Sequence, residues 1–169
     1  KVIKNAPREK VIGHLIMRDA LKKYAGKNVF ITGHTGFKGS WLSSLLIMLG
    51  ANVTGYSLRG APQNISRSNF CDLKLENIIT HYDGDIRDGK KLAEVIKDSK
   101  PDYVFHLAAQ ALVGQSYSDP VETFETNIMG TVNLLQAVMQ TSTIKSLICV
   151  TSDKCYENKE WVWGYREDE

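Results

Sequence analysis

The sequence predicts an α/β protein with a doubly wound parallel sheet. Three observations predict this class: short apolar runs alternate with segments of helical spacing, a glycine-rich turn follows the first apolar run, and a helix follows that turn. Five strands interleaved with helices require a parallel sheet that is covered on both faces. This is a Rossmann-type arrangement, which we expect to be incomplete at 169 residues, lacking the later strands and a substrate domain.

The strands are predicted from apolar runs that end at turn residues. The run 29–32 precedes a group of glycines, and the run 103–107 is almost wholly apolar. The five predicted strands are residues 29–32, 52–58, 78–82, 103–107 and 147–151. Residues 60–69 are mostly polar, so we expect a loop there.

The helices are predicted from apolar residues at helical spacing and from end signals. Residues 41–49 predict the first helix, with Gly50 as its C-terminal cap. Another helix occupies the stretch before Pro101. Asp119 supplies an N-cap and Pro120 a first-turn proline for a long helix. Its apolar positions are Val121, Phe124, Ile128, Val132, Leu135 and Val138.

Charge and hydropathy exclude two classes of partner. Lys and Arg total 21 against 19 Asp and Glu, a net charge of +2, so no single-sign field indicates nucleic acid or an anionic membrane. The apolar run 45–49 is far shorter than the roughly 20 residues that cross a bilayer. The first residues carry no apolar core of an export signal. We therefore expect a cytoplasmic protein without nucleic-acid or membrane partners.

The cysteines and histidines predict no metal site. Cys71, Cys149 and Cys155 form no Cys-x-x-Cys motif, and no histidine completes a zinc pattern with them. Reduced thiols agree with a cytoplasmic setting. We expect His34 and His106 to be structural histidines.

Gly33, Gly36 and Gly39 form a Gly-x-x-Gly-x-x-Gly turn between the first strand and the first helix. In a βαβ unit the first glycine makes the tight turn, the second lets the backbone approach a pyrophosphate, and the third lets helix pack on strand. A glycine triplet alone is also compatible with a plain turn, but this one has the required context. We therefore assign residues 26–169 to a dinucleotide-binding domain and residues 1–25 to an N-terminal extension.

Other strand ends carry further candidate cofactor residues. Asp85 follows the third strand, where a carboxylate can accept a hydrogen bond from an adenine amino group; a turn aspartate is the alternative. The ribose-binding carboxylate expected about 20 residues beyond the glycines is missing. Arg59 could instead meet a 2′-phosphate, so NADP stays open beside NAD. Ala108 and Ala109 end the fourth strand with side chains small enough for a cofactor to pass.

The fifth predicted strand ends in Thr151, Ser152, Asp153 and Lys154. Open α/β sheets bind ligands at this edge, and a hydroxyl, a carboxylate and an amine together can perform acid–base chemistry. A solvated turn with an Asp–Lys pair is the alternative. The position at a strand end favours the functional interpretation.

These motifs resemble the extended short-chain dehydrogenase/reductase family. The general family features are residues 32–39, 84–88 and 106–109, and Asn127 in the long helix. Two longer stretches, 33–42 and 151–165, resemble the CDP-glucose 4,6-dehydratases of that family. Related dTDP-glucose dehydratases carry a glutamate at the position of Lys154, which favours the CDP-glucose branch. The resemblance runs from about Tyr24 to the last residue.

The resemblance implies NAD-dependent dehydration of a nucleotide sugar, CDP-glucose. Hydride leaves C4 of the hexose, water is eliminated across C5 and C6, and hydride returns to C6. Ser152 would hydrogen-bond the 4-hydroxyl, Asp153 would protonate the departing 6-hydroxyl, and Lys154 would assist proton removal at C5. The cofactor-binding residues expected from the motifs are Gly33, Thr35, Gly36, Phe37, Lys38, Gly39, Arg59, Asp85, Ile86, Leu107, Ala108, Ala109 and Thr151.

The chain departs from the family pattern in its catalytic base. The family uses a tyrosine with a lysine four residues later, whose charge lowers the pKa of the phenol. None of the seven tyrosines here has such a lysine. We therefore expect the N-terminal part of a longer enzyme, inactive alone. The alternatives are a truncated, non-catalytic NAD-binding module, or another nucleotide-sugar dehydratase or epimerase. Asp153 and Lys154 argue against a simple epimerase, because epimerisation eliminates no water.

Two further expectations concern assembly and substrate contacts. Without later strands the fifth strand would present an unpaired edge, which favours association, so we expect a homo-oligomer. Ala111 and Gly114 stand where Pro and Arg are expected in close relatives, which leaves the substrate contacts of that loop open.

Overall fold

A five-stranded parallel sheet forms the centre of the molecule. The computed structural model describes residues 21–58, 68–152 and 156–166. The strands are β1 (Asn28–Thr32), β2 (Asn52–Ser57), β3 (Thr80–Asp83), β4 (Tyr103–His106) and β5 (Ser146–Cys149). Their order is β3-β2-β1-β4-β5, and every neighbouring pair is parallel. The predicted doubly wound parallel sheet is confirmed.

Helices connect the successive strands. They are α1 (Phe37–Met48), α2 (Asn69–Asp72), α3 (Gly89–Ser99), α4 (Val113–Ser118), α5 (Pro120–Phe124) and α6 (Gly130–Met139). A 3₁₀ turn, Leu75–Asn77, follows α2. A π-helical turn, Glu125–Met129, joins α5 to α6 so that residues 120–139 form one continuous long helix.

Two apolar clusters cover opposite faces of the sheet. The cluster on the side of α3 and α6 consists of Phe30, Tyr56, Ile86, Leu92, Val95, Ile96, Val104, Leu134 and Ala137. The cluster on the side of α1 and α2 consists of Val29, Ile31, Leu46, Val53, Phe70, Leu75, Ile79 and Phe105. Leu92 and Leu134 are wholly buried, and burial of each side chain contributes roughly 1.5–3 kcal/mol. The strand β1 is central and is covered from both sides.

The order of the strands places a ligand-binding crevice beside β1. The chain moves from β1 outward to β3 and then returns to β4 on the opposite side of β1. In open α/β sheets this reversal opens a crevice at the carboxyl ends of the two central strands. Gly33 follows β1 there and Leu107 follows β4, so the glycine-rich turn stands at the predicted binding edge.

Several element boundaries differ from the prediction. The third strand is 80–83 instead of 78–82, and the fifth is 146–149 instead of 147–151. The apolar residue Ile79 precedes β3 yet is buried beneath the sheet, so apolar character extends beyond the strand hydrogen bonds. The helix α2 and the 3₁₀ turn after it were not predicted. Both are too short to show helical periodicity.

The long helix turns a different face to the core from its predicted apolar stripe. The buried residues of α6 are Gly130, Leu134 and Ala137, of which Leu134 and Ala137 belong to the apolar cluster on the α3 side of the sheet. Gly130 lies so close to Ile86 that a Cβ would come within 2.5 Å of that side chain. Gly130 therefore lets the helix pack closely against the segment that follows β3. Most of the predicted stripe is exposed, namely Val121, Phe124, Ile128, Val132 and Leu135.

Within the described ranges, no helix has both the length and the apolar character that crossing a membrane requires.

Candidate functional site

The glycine-rich turn brings β1, α1 and β4 together at the crevice. Gly33 has a left-handed backbone (φ 72°), and a Cβ on it would lie 2.7 Å from the backbone nitrogen of Ala108. A Cβ on Gly39 would overlap the carbonyl oxygen of Gly33. Only glycine fits these places, because the turn passes against the end of β4 and the helix packs on the turn. This is the close packing that a dinucleotide site requires.

The first turn of α1 has the electrostatic character of an anion site. Gly36 is the N-cap and makes no side-chain cap hydrogen bond, and no acidic residue lies in the first turn. Lys38 lies in that turn and is exposed. Unpaired N–H groups at a helix start stabilise a nearby anion by typically about 0.3–1 kcal/mol. This end of α1 therefore suits a pyrophosphate.

A cavity of about 130 Å³ lies beside the ends of β2 and β3, and we call it the β3-side cavity. Its lining includes Ser57, Asp85, Ile86, Arg87, Ala108 and Ala109. Predicted cofactor residues from two different strand ends thus meet at one cavity. The strand order explains the meeting, because β4 lies on the far side of β1 from β2 and β3 but ends at the same edge.

Arg87 holds the Asp85 carboxylate in place. The Arg87 side chain donates to Asp85 Oδ2 from Nη2 at 2.6 Å and from Nε at 2.9 Å, and its backbone N–H donates to Oδ1 at 2.9 Å. The side-chain hydrogen bonds from Arg87 lower the pKa of Asp85. Arg87 Nη1 also lies 3.5 Å from Glu125 Oε2. Asp85 is therefore an ionised hydrogen-bond acceptor in the segment that follows β3.

Tyr56 lines the β3-side cavity and stabilises its wall. Its hydroxyl donates to the carbonyl oxygen of Asp85 at 3.0 Å. Gly84 has no side chain where the Tyr56 ring lies, since a Cβ there would overlap the ring. Burial, followed by the charges of Asp88 and Asp85, raises the pKa of Tyr56 to about 12. Tyr56 is thus a neutral structural donor and not an acid–base group at neutral pH.

A second cavity, of about 480 Å³, lies between the ends of β4 and β5, and we call it the β5-side cavity. Its lining includes His106, Ala108, Ala109, Asn127, Thr151 and Ser152. Ala108 and Ala109 line both cavities, so the cavities adjoin there. A ligand that crosses these two small side chains reaches Asp85 at one end and Ser152 at the other.

A hydrogen-bond network around His106 backs the β5-side cavity. His106 Nδ1 lies 2.7 Å from Thr32 Oγ1, and Nε2 lies 3.0 Å from Thr131 Oγ1. The Thr131 hydroxyl donates to the carbonyl oxygen of Asn127 at 2.7 Å. The Asn127 amide side chain makes two bonds, of 2.8 Å and 3.0 Å, with the backbone of Gln110. Burial lowers the pKa of His106, so the ring is neutral.

A pair of hydroxyls stands at the end of β2. Thr35 Oγ1 in the glycine-rich turn lies 2.7 Å from Ser57 Oγ. Dinucleotide folds commonly carry a ribose-binding carboxylate at this strand end, and here the residue is Ser57. The register partner of Ser57 on β3 is Asp83, which places a carboxylate one strand away. Arg59, the predicted contact for a 2′-phosphate, lies outside the described residues.

His34 packs beneath the glycine-rich turn. Its ring fills the space over Gly55, and its Nε2 lies 2.7 Å from His81 Nδ1. His81 Nε2 lies 2.8 Å from the Asp83 carboxylate. Burial, followed by the charge of His81, lowers the pKa of His34 to about 4. His34 is therefore a buried, neutral residue that connects the turn to β3.

The structure divides the predicted site residues into three groups by where they lie. Gly33, Thr35, Gly36, Phe37, Lys38, Gly39, Asp85, Ile86, Ala108, Ala109, Thr151 and Ser152 come together at one edge of the sheet. The side chain of Leu107 packs into the core on the α1 side, while its N–H bonds to Thr32. Asp153 and Lys154 lie outside the described residues.

Sequence reasoning missed Arg87, Gln110 and Thr131. Arg87 follows a strand end, so its position carried a weak signal. Gln110 is held through its backbone, and Thr131 bonds the His106 ring and the carbonyl oxygen of Asn127, contacts that no residue pattern reveals. Among the described residues, no three His, Cys, Asp or Glu side chains are placed to hold a metal ion. Burial raises the pKa of the Cys149 thiol beside the β5-side cavity.

The chain matches known nucleotide-sugar dehydratases in sequence. Residues 30–162 match the family model described as GDP-mannose 4,6 dehydratase. The chain is 54% identical over 146 residues to CDP-glucose 4,6-dehydratase of Salmonella typhimurium, which covers 86% of the chain and 40% of that protein. It is 36% identical over 116 residues to GDP-mannose 4,6-dehydratase of Vibrio cholerae, covering 66% of the chain and 31% of that protein. The chain thus spans about two fifths or less of these relatives.

Solved structures of epimerases share the fold. Epimerase Mth375 from Methanothermobacter thermautotrophicus superposes with a TM-score of 0.72 at 28% identity, over 90% of this chain and 43% of that one. UDP-glucose-4-epimerase from Stenotrophomonas maltophila, solved with bound NAD, has a TM-score of 0.66 at 28% identity, over 80% of this chain and 40% of that one. The family match covers most of the chain, from β1 past β5, and includes the glycine-rich turn and both cavities. The chain therefore belongs to the GDP-mannose 4,6 dehydratase family.

Proposed function

We propose that the chain binds NAD across the carboxyl edge of its sheet. The observation that carries the proposal is the glycine-rich turn beside two cavities that adjoin at Ala108 and Ala109. The turn fits the group, because side chains on Gly33 or Gly39 would fill the space where strand and helix meet. The pyrophosphate would lie at the start of α1, the adenine at Asp85 and Ile86, and the nicotinamide beside Thr151.

Two features support NAD over NADP. The epimerase from S. maltophila carries bound NAD at a similar fold. A 2′-phosphate beside Ser57 would bring negative charge close to Asp83, the register partner of Ser57 on β3. Like charges at close range disfavour the charged forms of both groups. A ribose with a free 2′-hydroxyl avoids this repulsion and can hydrogen-bond the Ser57 side chain.

The proposed reaction is dehydration of CDP-glucose to CDP-4-dehydro-6-deoxyglucose. The identity of 54% to a CDP-glucose 4,6-dehydratase supports this substrate over GDP-mannose, for which the identity is 36%. When bound, NAD would supply a reversible hydride acceptor beside the sugar. Because the chain spans 40% of that relative, the activity is proposed for the protein that contains this chain.

The end of β5 would supply the acid–base groups. Ser152 lines the β5-side cavity and would hydrogen-bond the 4-hydroxyl of the sugar. Asp153 would protonate the departing 6-hydroxyl, and Lys154 would assist removal of the C5 proton. Elimination would take one proton from C5 and give one to the leaving 6-hydroxyl, which departs as water. The hydride removed from C4 would return to C6 and a proton to C5, so the reaction as a whole releases one water and needs no outside reductant. A neighbouring carboxylate and amine provide the two protonation states that this chemistry needs.

The test is turnover of CDP-glucose by the full gene product that contains this chain, with NAD present and the product detected by mass. We expect loss of one water from CDP-glucose and no conversion of GDP-mannose. The variant Asp153→Asn should lower kcat by about 10²–10⁴-fold, the usual contribution of a general acid. The matched control Asp98→Asn, at an exposed position of α3, should leave kcat unchanged. A folded protein with bound NAD that leaves CDP-glucose intact would contradict the proposal.

For this chain alone we propose cofactor binding without turnover. The support is the absence from its sequence of any tyrosine followed four residues later by lysine. Detectable conversion of CDP-glucose by the 169-residue chain would overturn this part of the proposal.

We further propose self-association and a cytoplasmic location. β5 is the last strand of the described sheet on its side, and its outward edge supports association. Cys71 and Cys149 are free thiols, which supports a reducing compartment.

A further inference from the structure

The residues behind the β5-side cavity form one directed chain of hydrogen bonds. Thr32 Oγ1 lies 3.2 Å from the backbone nitrogens of both Leu107 and Ala108. Both amide N–H groups donate to Thr32 Oγ1, and the Leu107 N–H is shared with the Thr32 carbonyl oxygen at 3.1 Å. Because a hydroxyl oxygen has two acceptor lone pairs, these two donors occupy them and direct the Thr32 hydrogen toward His106 Nδ1. His106 therefore carries its ring hydrogen on Nε2.

The hydrogen bonds continue in the same donor-to-acceptor direction into the long helix. His106 Nε2–H donates to Thr131 Oγ1, and the Thr131 hydroxyl donates to the carbonyl oxygen of Asn127. Each hydroxyl accepts on one side and donates on the other, because it has a single hydrogen to give. A neutral ring is needed for this order, and burial lowers the pKa of His106 in agreement with it.

The chain of bonds joins the separate walls of the β5-side cavity. Ala108 at the end of β4, Gln110 in the following loop, and Asn127 and Thr131 on the long helix all line the cavity. Asn127 stands in the π-helical turn and bonds both the N–H and the C=O of Gln110. Such turns insert one extra residue into a helix and recur at functional sites. The walls are thus fixed to each other through His106.

We propose that His106 and Thr131 are positioning residues that hold the walls of the β5-side cavity for the nicotinamide end of the dinucleotide. The inference rests on the proposed NAD site and adds two residues to it. His106 acts through Thr32 and Thr131, and Thr131 acts through Asn127. The β3-side cavity, which would hold the adenine, lies on the other side of Ala108 and Ala109 and is stabilised by Arg87 and Tyr56.

Because the two cavities would hold different ends of the dinucleotide, ligand binding can distinguish a positioning role of His106 and Thr131 from general stabilisation of the fold. If the network merely stabilises the fold, its loss weakens every ligand of the crevice alike. If it positions the nicotinamide end, its loss weakens NAD but leaves ADP, which carries only the adenine and pyrophosphate half, unaffected. The variant Thr131→Val removes the hydroxyl at nearly constant shape, and Thr131→Ser keeps the hydroxyl and serves as the matched control.

The experiment is calorimetric titration of NAD and of ADP into the wild-type chain and both variants. We expect Thr131→Val to raise the Kd for NAD by about five- to tenfold, the usual effect of one lost buried hydrogen bond, with the Kd for ADP within about twofold. Thr131→Ser should bind both ligands like the wild type. An equal loss for both ligands, or no loss for either, overturns the positioning role.

A second measurement does not depend on the stability of any variant. Long-range ¹H–¹⁵N NMR spectra of the wild-type chain report which ring nitrogen of His106 carries hydrogen. A hydrogen on Nε2 supports the directed chain, and a hydrogen on Nδ1 overturns it. A folded wild-type chain that binds neither NAD nor ADP would instead overturn the proposed NAD site, which distinguishes that failure from failure of the inference.

Discussion

At the scale of single residues, glycine is needed here for two separate reasons, backbone conformation and space. Gly26 and Gly33 have nearly the same left-handed backbone, with φ of 68° and 72°. A Cβ on Gly26 would meet nothing within 4 Å, whereas a Cβ on Gly33 would lie 2.7 Å from the backbone nitrogen of Ala108. The two positions therefore allow strain and crowding to be measured separately.

Alanine at the two positions should cost different amounts of stability. Gly26→Ala should lower the free energy of unfolding by about 1–2 kcal/mol, the cost of a left-handed non-glycine residue. Gly33→Ala should cost about 1–3 kcal/mol more, because the end of β4 must move aside. Urea denaturation of both variants measures the difference. Equal losses would show that the turn does not pack against β4 as described.

A second residue-scale effect concerns the neutral, buried ring of His34. Its pKa in the folded chain is about 4, against about 6.5 for an unperturbed histidine. The unfolded chain therefore binds more protons than the folded chain between these two values. The contribution of His34 to stability is fully present above pH 6.5 and is lost as the pH falls toward 4.

Acid should therefore destabilise the chain in a window that His34 defines. The loss between pH 6.5 and 4 should reach on the order of 3 kcal/mol, at about 1.36 kcal/mol for each unit of pKa shift. The variant His34→Gln should be less stable at pH 7 but should show a shallower pH dependence across the same window. Urea midpoints at half-unit pH steps measure both slopes. Identical slopes would assign the acid sensitivity to other groups.

At the scale of elements, the long helix is the piece that shapes both cavities. It begins at Asp119, whose Oδ1 accepts a hydrogen bond from the Glu122 N–H at 2.9 Å, with Pro120 in the first turn. Its π-helical turn presents Asn127 to the loop after β4. At Gly130 it packs closely against Ile86, in the segment that follows β3. The start, the turn and the contact point are therefore set by different residues.

Removal of the cap should weaken this helix at its first turn. Asp119→Ala should lower the free energy of unfolding by about 1 kcal/mol, because the Glu122 N–H loses its acceptor. Asp119→Ser retains a capping oxygen and should lose only a few tenths of that amount. Thermal or urea unfolding of the two variants makes the comparison. Equal destabilisation by Ala and Ser would mean that the cap does not contribute.

The sequence predicted those elements whose signal is local. All five strands were found from segments of apolar, β-branched or aromatic residues that end near a turn residue, as β1 does at Gly33. The helix α2 was missed because four residues show no period. The buried face of α6 was missed because two of its three buried residues, Gly130 and Ala137, are small, whereas the conspicuous apolar stripe is exposed.

In the candidate site too, the sequence predicts only what depends on local signals, namely the residues at strand ends. The glycine-rich turn, Asp85 and Ser152 were predicted to meet at one edge of the sheet, since parallel strands deliver their carboxyl ends there, and the structure places them at that edge. The bonds from Thr131 to Asn127 and from Asn127 to Gln110 involve backbone groups. Such contacts depend on how a helix and a loop meet in space, and no spacing in the sequence encodes them.

At the scale of the whole molecule, β5 forms one edge of the described sheet. β5 pairs with β4 on one side, and it is the last strand of the described sheet on the other. Ile148 in this strand is 47% exposed. An exposed apolar edge strand is a template for pairing with another chain.

The chain should therefore associate with itself in solution. Size-exclusion chromatography with light scattering at micromolar concentration should give a mass above that of the monomer. Ile148→Lys should shift the population toward monomer, because a charge on an edge strand opposes pairing. Val162→Lys adds the same charge at an exposed position outside the strands and should change nothing. A clean wild-type monomer would count against association through β5.

The most direct test of the central claim, that this edge of the sheet is an NAD site, is calorimetric titration of NAD into the wild-type chain and into Gly33→Ala and Gly26→Ala. We expect one NAD for each wild-type chain, retained binding in Gly26→Ala, and lost binding in Gly33→Ala, where a side chain enters the close packing of the glycine-rich turn. A folded wild-type chain that takes up no NAD, or equal binding by both variants, would contradict the claim.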